Sequence, residues 1–398
     1  MSKEKIKYIV GIYAAAMCIM GMLVPVPIVA QIAATFPNEN VAAIQMVVGI
    51  VPLFMALSAL FVSSVLATRV SKKITTLVGH CIIVLAGLSI HFFFHNSLQQ
   101  VLIASAFMGL GIGAIQNGTD ALIADCFNPE ERGTVMGIYS TFVAIGGILW
   151  VIASSALGAQ EWSRSYLCYF AMIPFIIIEA ICLPQGQLEP KHKKNVISGM
   201  PKEVALITVL SFIFIMCFQL LNTNVSLIVA ERGLGGVAES GMVTTATSFA
   251  GVFAGLLVGP LFKKFKNLAM PIAWIICGVG LLLVLVAPML GMLAAGGFIA
   301  SLGKETYVPT EGNFAAGNSA PEGRAFNLAI GMAGINFGMA LSPVVFELLS
   351  TPFGHTIESK MIIGLVIVAV LVVFGFMHYN KLTPAQQAEM ERMAAEKK

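Results

Sequence analysis

Twelve long apolar stretches run almost end to end through this chain, and its basic residues crowd into alternate gaps between them. A hydrocarbon core of ~30 Å takes about 20 apolar residues to cross as a helix. A backbone in lipid must also satisfy its own hydrogen bonds, which favours helices over open strands. The stretches therefore read as membrane spans near 8–34, 41–66, 75–95, 98–124, 133–158, 166–184, 203–230, 238–262, 268–288, 290–316, 323–349 and 358–380. The expected fold class is an all-α membrane protein. Only 11% of the residues are charged and 58% are hydrophobic, where a soluble domain carries roughly a quarter charged residues.

Orientation follows from lysine and arginine. With the N-terminus in the cytoplasm, nineteen of the 23 basic residues fall in inside segments: Lys3, Lys5 and Lys7; Arg69, Lys72 and Lys73; Arg132; Lys191, Lys193, Lys194 and Lys202; Lys263, Lys264 and Lys266; Arg324; Lys381, Arg392, Lys397 and Lys398. Outside loops keep only Arg164, Arg232 and Lys360, while Lys304 falls within a span. The positive-inside bias puts both termini in the cytoplasm and requires an even number of spans. The net charge of +3 then faces anionic lipid rather than nucleic acid. The location expected is the cytoplasmic membrane, of bacterial type. The first span is too long for a signal-peptide core, and no small-residue cleavage site follows cleanly. The seven cysteines stand singly, without a CxxC pair, and read as small packing residues.

The pattern repeats. Residues 185–202 form the longest polar gap and divide the spans six and six. Pro129-Glu130-Glu131-Arg132-Gly133 after the fourth span returns as Pro321-Glu322-Gly323-Arg324-Ala325 after the tenth, an offset of 192 residues. The basic run Arg69, Lys72, Lys73 after the second span returns as Lys263, Lys264, Lys266 after the eighth. Two six-helix repeats in tandem are a transporter arrangement. The expected units are 1–184, a cytoplasmic linker 185–202, 203–380, and a cytoplasmic tail 381–398.

At these residues the chain resembles the major facilitator superfamily over essentially its whole length. The family's loop between helices 2 and 3 reads G-x-x-x-D-R-x-G-R-K. Leu66, Arg69, Lys72 and Lys73 fit it, whereas Ser64, Thr68 and Ser71 replace the first Gly, the Asp and the second Gly. Arg132-Gly133 fits the family's Arg-Gly after helix 4. The resemblance implies two halves that rock about a midplane site, with helices 1, 4, 7 and 10 lining the cavity. The missing Asp belongs to the family's cytoplasmic latch. Asp125 is expected to supply part of that role by pairing with Arg69 or Arg324, with Arg132 beside them; the alternative is an exposed acid at a helix end.

Ionisable residues at bilayer depth are costly and by default functional. Lys304 is the foremost. Ser301, Lys304, Tyr307 and Glu311 recur at i, i+3, i+6 and i+10 and share one broad face, with Glu305 rotated ~100° away. The lysine meets a substrate carboxylate, pairs with an internal acid (Glu311, Asp120 or Glu305), or itself couples protons. Gln116, Asn117 and Asp120 form a polar stripe in the fourth span. Gln219, Asn222, Thr223 and Ser226 form another in the seventh. Both suit a wet cavity wall or interhelical hydrogen bonds. Gln31, beside the break Pro25-Val26-Pro27, and Asn336 complete the substrate-site candidates. Asp120, Asp125, Arg69, Arg132, Glu305 and Arg324 are the coupling and gating candidates. Gly251, Gly255 and Gly259 form a ridge expected to pack tightly, as do Gly331, Gly334 and Gly338. His91 and His95 have metal-pair spacing but no third ligand nearby, so no metal and no cofactor are expected.

No HExxH, GxSxG, P-loop or nucleotide fingerprint occurs, so enzyme and ATP-driven pump readings have no support. Proton/drug antiporters of the similar family carry an Arg in helix 4 where this chain has Ser105. They also carry G-x-x-x-G-P-x-x-G-G in helix 5, where Gly146 is followed by Trp150-Val151. The expectation is a monomeric secondary transporter for a small organic solute, an organic anion favoured by Lys304, driven by proton symport or facilitated. Proton-coupled efflux of lipophilic or cationic compounds is the alternative; a channel or a receptor is the reading from another class.

Overall fold

The computed structural model of the chain describes residues 3–62, 66, 68–188, 200–319, 324–380 and 383. All regular structure among them is helical, in twelve spans: α1 (Lys3–Thr35), α2 (Val41–Phe61), α3 (Lys72–Phe92), α4 (Leu98–Cys126), α5 (Pro129–Gly158), α6 (Trp162–Cys182), α7 (Lys202–Glu231), α8 (Val237–Phe265), α9 (Ala269–Val286), α10 (Leu290–Gly317), α11 (Arg324–Leu349) and α12 (Ile357–His378). Ten of these are apolar and long enough to cross a membrane by composition alone. The other two are α8 and α10, and α10 carries Lys304, Glu305 and Glu311. Expected units that fall on 189–199 and on 381–398, apart from Thr383, lie outside the described residues.

Local chemistry sets the helix starts. The side chains of Asn40, Ser71 and Thr356 accept from Ala42 N–H, Ile74 N–H and Ser359 N–H, capping α2, α3 and α12. Asn128 and Glu131 form a reciprocal capping box on α5, with Pro129 at the first helical position, where its missing N–H costs nothing. Inside α1 the same property has the opposite effect. Pro25 and Pro27 cannot donate, and the helix passes through short 3₁₀ turns at Met20–Leu23 and Val26–Ile28. Carbonyls freed by such a break need other donors. Trp150 Nε1 donates to Met17 O at 2.6 Å, Tyr169 Oη to Gly21 O at 2.9 Å, Ser154 Oγ to Val24 O at 2.6 Å and Ser226 Oγ to Pro27 O at 2.9 Å. Trp150, which departs from the antiporter pattern, thus has a local task.

Small residues let helices meet. A β-carbon on Gly79 of α3 would lie 2.7 Å from the Gly111 carbonyl oxygen of α4, which fixes those two helices at close range. The expected ridge on α8 behaves differently. A β-carbon on Gly255 or Gly259 would meet nothing within 4 Å, and Gly251 makes only ordinary contacts with Ala144 and Glu305. Spacing aligns such glycines along a helix, but this stretch of α8 has no neighbour pressed against two of them. On α11, by contrast, Gly334 and Gly338 meet the α7 backbone at Thr208 and Phe212.

The first and last six helices join mainly through α5 with α8 and α2 with α11. Their polar cross-contacts lie at the end of the bundle away from Lys3. Ser226 Oγ of α7 donates to Pro27 O and accepts Ala30 N–H of α1 at 3.1 Å. Gln45 of α2 donates to Asn224 Oδ1 of α7 at 2.7 Å, both sealed from solvent. Ser155 of α5 sits against Gly241 of α8. At the Lys3 end the described polar contacts stay within one set of six: Lys5 with Glu131 and Lys72 with Asp125 in the first, Glu203 with His378 in the last.

Candidate functional site

The mid-depth charge on α10 has a partner. Lys304 Nζ lies 2.7 Å from Glu305 Oε1 and 5.7 Å from the ring centre of Phe218 on α7. The lysine side chain is 18% exposed and the glutamate 38%, so the pair is not sealed within the bundle. Cβ directions ~100° apart do not prevent this, because the long lysine stem bends back across its own helix. Glu305 also reaches towards α8, where its Cγ is 3.9 Å from the β-carbon position of Gly251. Pro309, four residues on, offers no N–H to the Glu305 carbonyl, so the helix is weakest at this charged pair. Of the three internal acids considered for Lys304, the structure selects Glu305.

The rest of the α10 face is not one open wall. Tyr307 is fully buried, donating to or accepting from Ser211 Oγ at 2.7 Å and packing on Phe214 and Trp274. Glu311 is 2% exposed, and its Oε1 has no hydrogen-bond partner. Ser301 is buried too. Helical spacing predicts the shared face; Ser211 and Phe214 of α7, Trp274 of α9 and Gly331 of α11 cover much of it. In this conformation Ser301, Tyr307 and Glu311 are covered by neighbouring helices and do not line an open wall.

The two stripes also divide. On α4, Asp120 is exposed and has no described partner, Gln116 is half-buried, and Asn117 turns back to its own Gly113 carbonyl at 2.7 Å. On α7, Asn222 donates to Gln219 Oε1 at 3.2 Å, while Thr223 and Ser226 are buried. Ser226 closes α1 against α7 and so does not line an open wall. Asn336 on α11 is buried. Gln31 is remote: it borders a separate cavity of about 640 Å³ at the far end, with Thr35, Phe36, His95, Glu161 and Trp162.

At the Lys3 end, Asp125 pairs with Lys72 at 2.9 Å and accepts Gln187 N–H at 2.8 Å. It does not pair with Arg69, which is exposed and has no described partner. Lys72 opens α3 beside the last turn of α4, the nearer position. Arg132 donates to Phe127 O at 2.8 Å and to Ala124 O, so it caps the carbonyl end of α4. Lys73 does the same for α6 at Ala180 O, 2.6 Å away. Cations suit helix C-termini. The Arg324 side chain lies outside the described residues.

Other groups escaped the sequence. Phe218 sits one residue before the α7 stripe, and Asn224 falls within it but off its spacing. His80 of α3 and Glu179 of α6 form a fully buried pair at 2.7 Å; a lone histidine in an apolar helix gives no hint of its partner ninety-nine residues away. His91 bonds Ser163 at 2.9 Å. No group of three or more His, Cys, Asp or Glu placed to hold a metal occurs among the described residues.

The family model for the Major Facilitator Superfamily matches residues 9–268 and 207–396. The chain belongs to the Major Facilitator Superfamily. As a superfamily member it is an integral multi-pass membrane transporter, not an enzyme, and works by alternating access. Solved structures with the same fold include a bacterial homolog to the human lysosomal transporter Spinster in an inward-facing, unoccupied conformation. Its TM-score is 0.76 at 16% identity, covering 96% of this chain and 100% of that one. The occupied, inward-facing form of that homolog gives 0.72 at 14% identity with the same coverage. No curated protein sequence is similar enough to count as a relative.

Proposed function

We propose that this superfamily member carries a small organic anion across the cytoplasmic membrane in symport with protons, and that the Lys304–Glu305 pair over Phe218 is its anion site. That pair is the observation that carries the reading. A lysine at mid-depth, partly exposed and resting on an aromatic face, is a cation whose counter-charge is exchangeable. Glu305 holds it in the empty carrier, and a substrate carboxylate competes for the same ammonium. Adding an anion to a neutral pair leaves one net negative charge in a low-dielectric site, which a co-bound proton offsets. Asp120, Gln116 and Asn222 are the polar groups that would meet the rest of the solute.

The halves 1–184 and 203–380 are taken as the rocking units, and the basic end as the cytoplasmic one. With the far end closed by Ser226, Gln45 and Asn224, the conformation is then inward-facing. A second reading, export of organic cations, draws on the exposed and unpartnered Asp120. Thermal unfolding of the purified protein separates the two, because a ligand of the folded state raises its stability by mass action. Acetate, pyruvate, succinate and benzoate, against tetraethylammonium and ethidium, are suitable probes. The anion reading expects stabilisation by a carboxylate that grows as pH falls and vanishes in Lys304→Ala. Stabilisation by the cations alone, lost in Asp120→Asn, overturns it.

A further inference from the structure

α6 is built from two kinds of helix. Its first 11 residues, Trp162–Met172, form an unbroken 3₁₀ helix, and only Ile173–Cys182 are α-helical. Runs of 3₁₀ helix beyond ~4 residues are uncommon, because the hydrogen bonds are poorer and side chains at i and i+3 eclipse. We propose that this half of α6 is a conformational switch between 3₁₀ and α-helix, and that Tyr169 ties the switch to the break in α1. It does not depend on which solute is carried.

The sequence is matched to the tighter helix. Trp162, Ser165 and Cys168 are buried, as are Ser163, Tyr166, Tyr169 and Met172, whereas Arg164 and Phe170 are exposed and Leu167 is half-buried. Burial thus repeats every three residues, the period of a 3₁₀ helix and not the ~3.6 of an α-helix. Tyr166 and Tyr169, one such turn apart, stack with ring centres 6.2 Å apart. Pro174 has no N–H for the Phe170 carbonyl, which accepts Ile173 N–H in the tighter pattern instead. Side chains then hold the segment to its neighbours. Ser165 Oγ donates to Ser154 O of α5 at 2.8 Å, and Tyr169 Oη donates to Gly21 O of α1 at 2.9 Å. A β-carbon on Gly87 of α3 would collide with the Tyr169 ring, so the ring fills room that a glycine leaves.

Gly21 is where the switch meets α1. It lies in the 3₁₀ turn Met20–Leu23, and its carbonyl accepts Val24 N–H as well as the tyrosine hydroxyl. The other side of the same break is held from the last six helices, by Ser226 Oγ on Pro27 O. Contacts therefore run from α6 through α1 to α7. Conversion to α-helix lowers the rise from ~2.0 to ~1.5 Å and the turn from ~120° to ~100° per residue. Across the segment this draws the ends together by about 5 Å and turns Tyr169 by about 140° relative to Trp162. The tyrosine then leaves Gly21, α1 loses a donor where it is already broken, and the Ser226 contact loosens with it.

The test is the distance between spin labels at Arg164→Cys and Ile181→Cys, both exposed positions of α6, with the accessible Cys81, Cys126 and Cys182 replaced by Ser. The mixed helix sets them about 30 Å apart along its axis and an all-α one about 26 Å. The longer distance is expected in the otherwise unaltered protein. Tyr169→Phe, which removes only the hydroxyl, should add a population about 4 Å shorter. In that variant labels at Glu39→Cys and Glu231→Cys should move apart. Ser165→Ala, which frees the segment from α5, should shorten it likewise and serves if Tyr169→Phe does not fold. Three results overturn the proposal: the shorter distance alone without either substitution, no shorter population in either variant, or a shorter population with the Glu39–Glu231 distance unchanged.

Discussion

Replacing Lys304 by alanine separates an ion pair from a lone charge. Breaking a fully buried pair costs ~3–5 kcal/mol because the partner is stranded, whereas exposed pairs are worth ~0–1 kcal/mol. Lys304 is 18% exposed and Glu305 38%, so water relieves part of the stranded carboxylate and the expected cost is about 2 kcal/mol. Of that, the contact with Phe218 accounts for ~0.5–1 kcal/mol. Glu305→Ala should cost less, about 1 kcal/mol, since the ammonium keeps the ring and local water. Adding Glu305→Ala to Lys304→Ala should recover most of the loss. Thermal melts of the four proteins in one lipid or detergent complete a double-mutant cycle, with a coupling of about 2 kcal/mol. Additive effects would refute the pair, and with it the idea that a carboxylate competes with Glu305.

Ser226→Ala strands Pro27 O and Ala30 N–H, at ~1–3 kcal/mol each for buried groups. Spin labels at Glu39 and Glu231 should show more of a state with the far end open, and an unchanged distance distribution would remove Ser226 from the closure. Gly146→Val drives a side chain into the Met17 carbonyl of α1. It should cost several kcal/mol by overpacking against backbone, roughly 3 or more, and abolish folded yield. Gly137→Ala, which meets nothing within 4 Å, is the neutral control. Glu131 is held below the usual carboxylate range, first by its hydrogen bond from Lys5 and then by Asn128 N–H. A depressed carboxylate stabilises the folded state above its unfolded pKa, and the gain is lost as pH falls through the folded value. Acid should therefore loosen the Lys5 end of α1, seen as faster amide exchange there; in Glu131→Gln that exchange should be high throughout and flat with pH.

Hydropathy and charge bias made the twelve spans and their tandem repeat legible, because each depends on residues close in sequence. Asn128, Glu131 and Pro129 announce the start of α5 by themselves, and Pro25 with Pro27 announces the break in α1. The donors that satisfy that break, Trp150, Ser154, Tyr169 and Ser226, come from three other helices, and nothing local marks them. The site shows the same division. Helical spacing put Lys304, Tyr307 and Glu311 on one face, and that part is a property of the chain alone. Which of them stays accessible was decided by neighbours: Ser211, Phe214 and Trp274 seal Tyr307, Gly331 makes room for Glu311, and Lys304 rests beside Phe218, partly exposed and paired with Glu305. The ridge on α8 had the right spacing and no helix pressed against Gly255 or Gly259. Periodicity fixes the direction in which a side chain leaves its helix; only the packing of the other helices fixes whether it meets water, lipid, a charge or nothing.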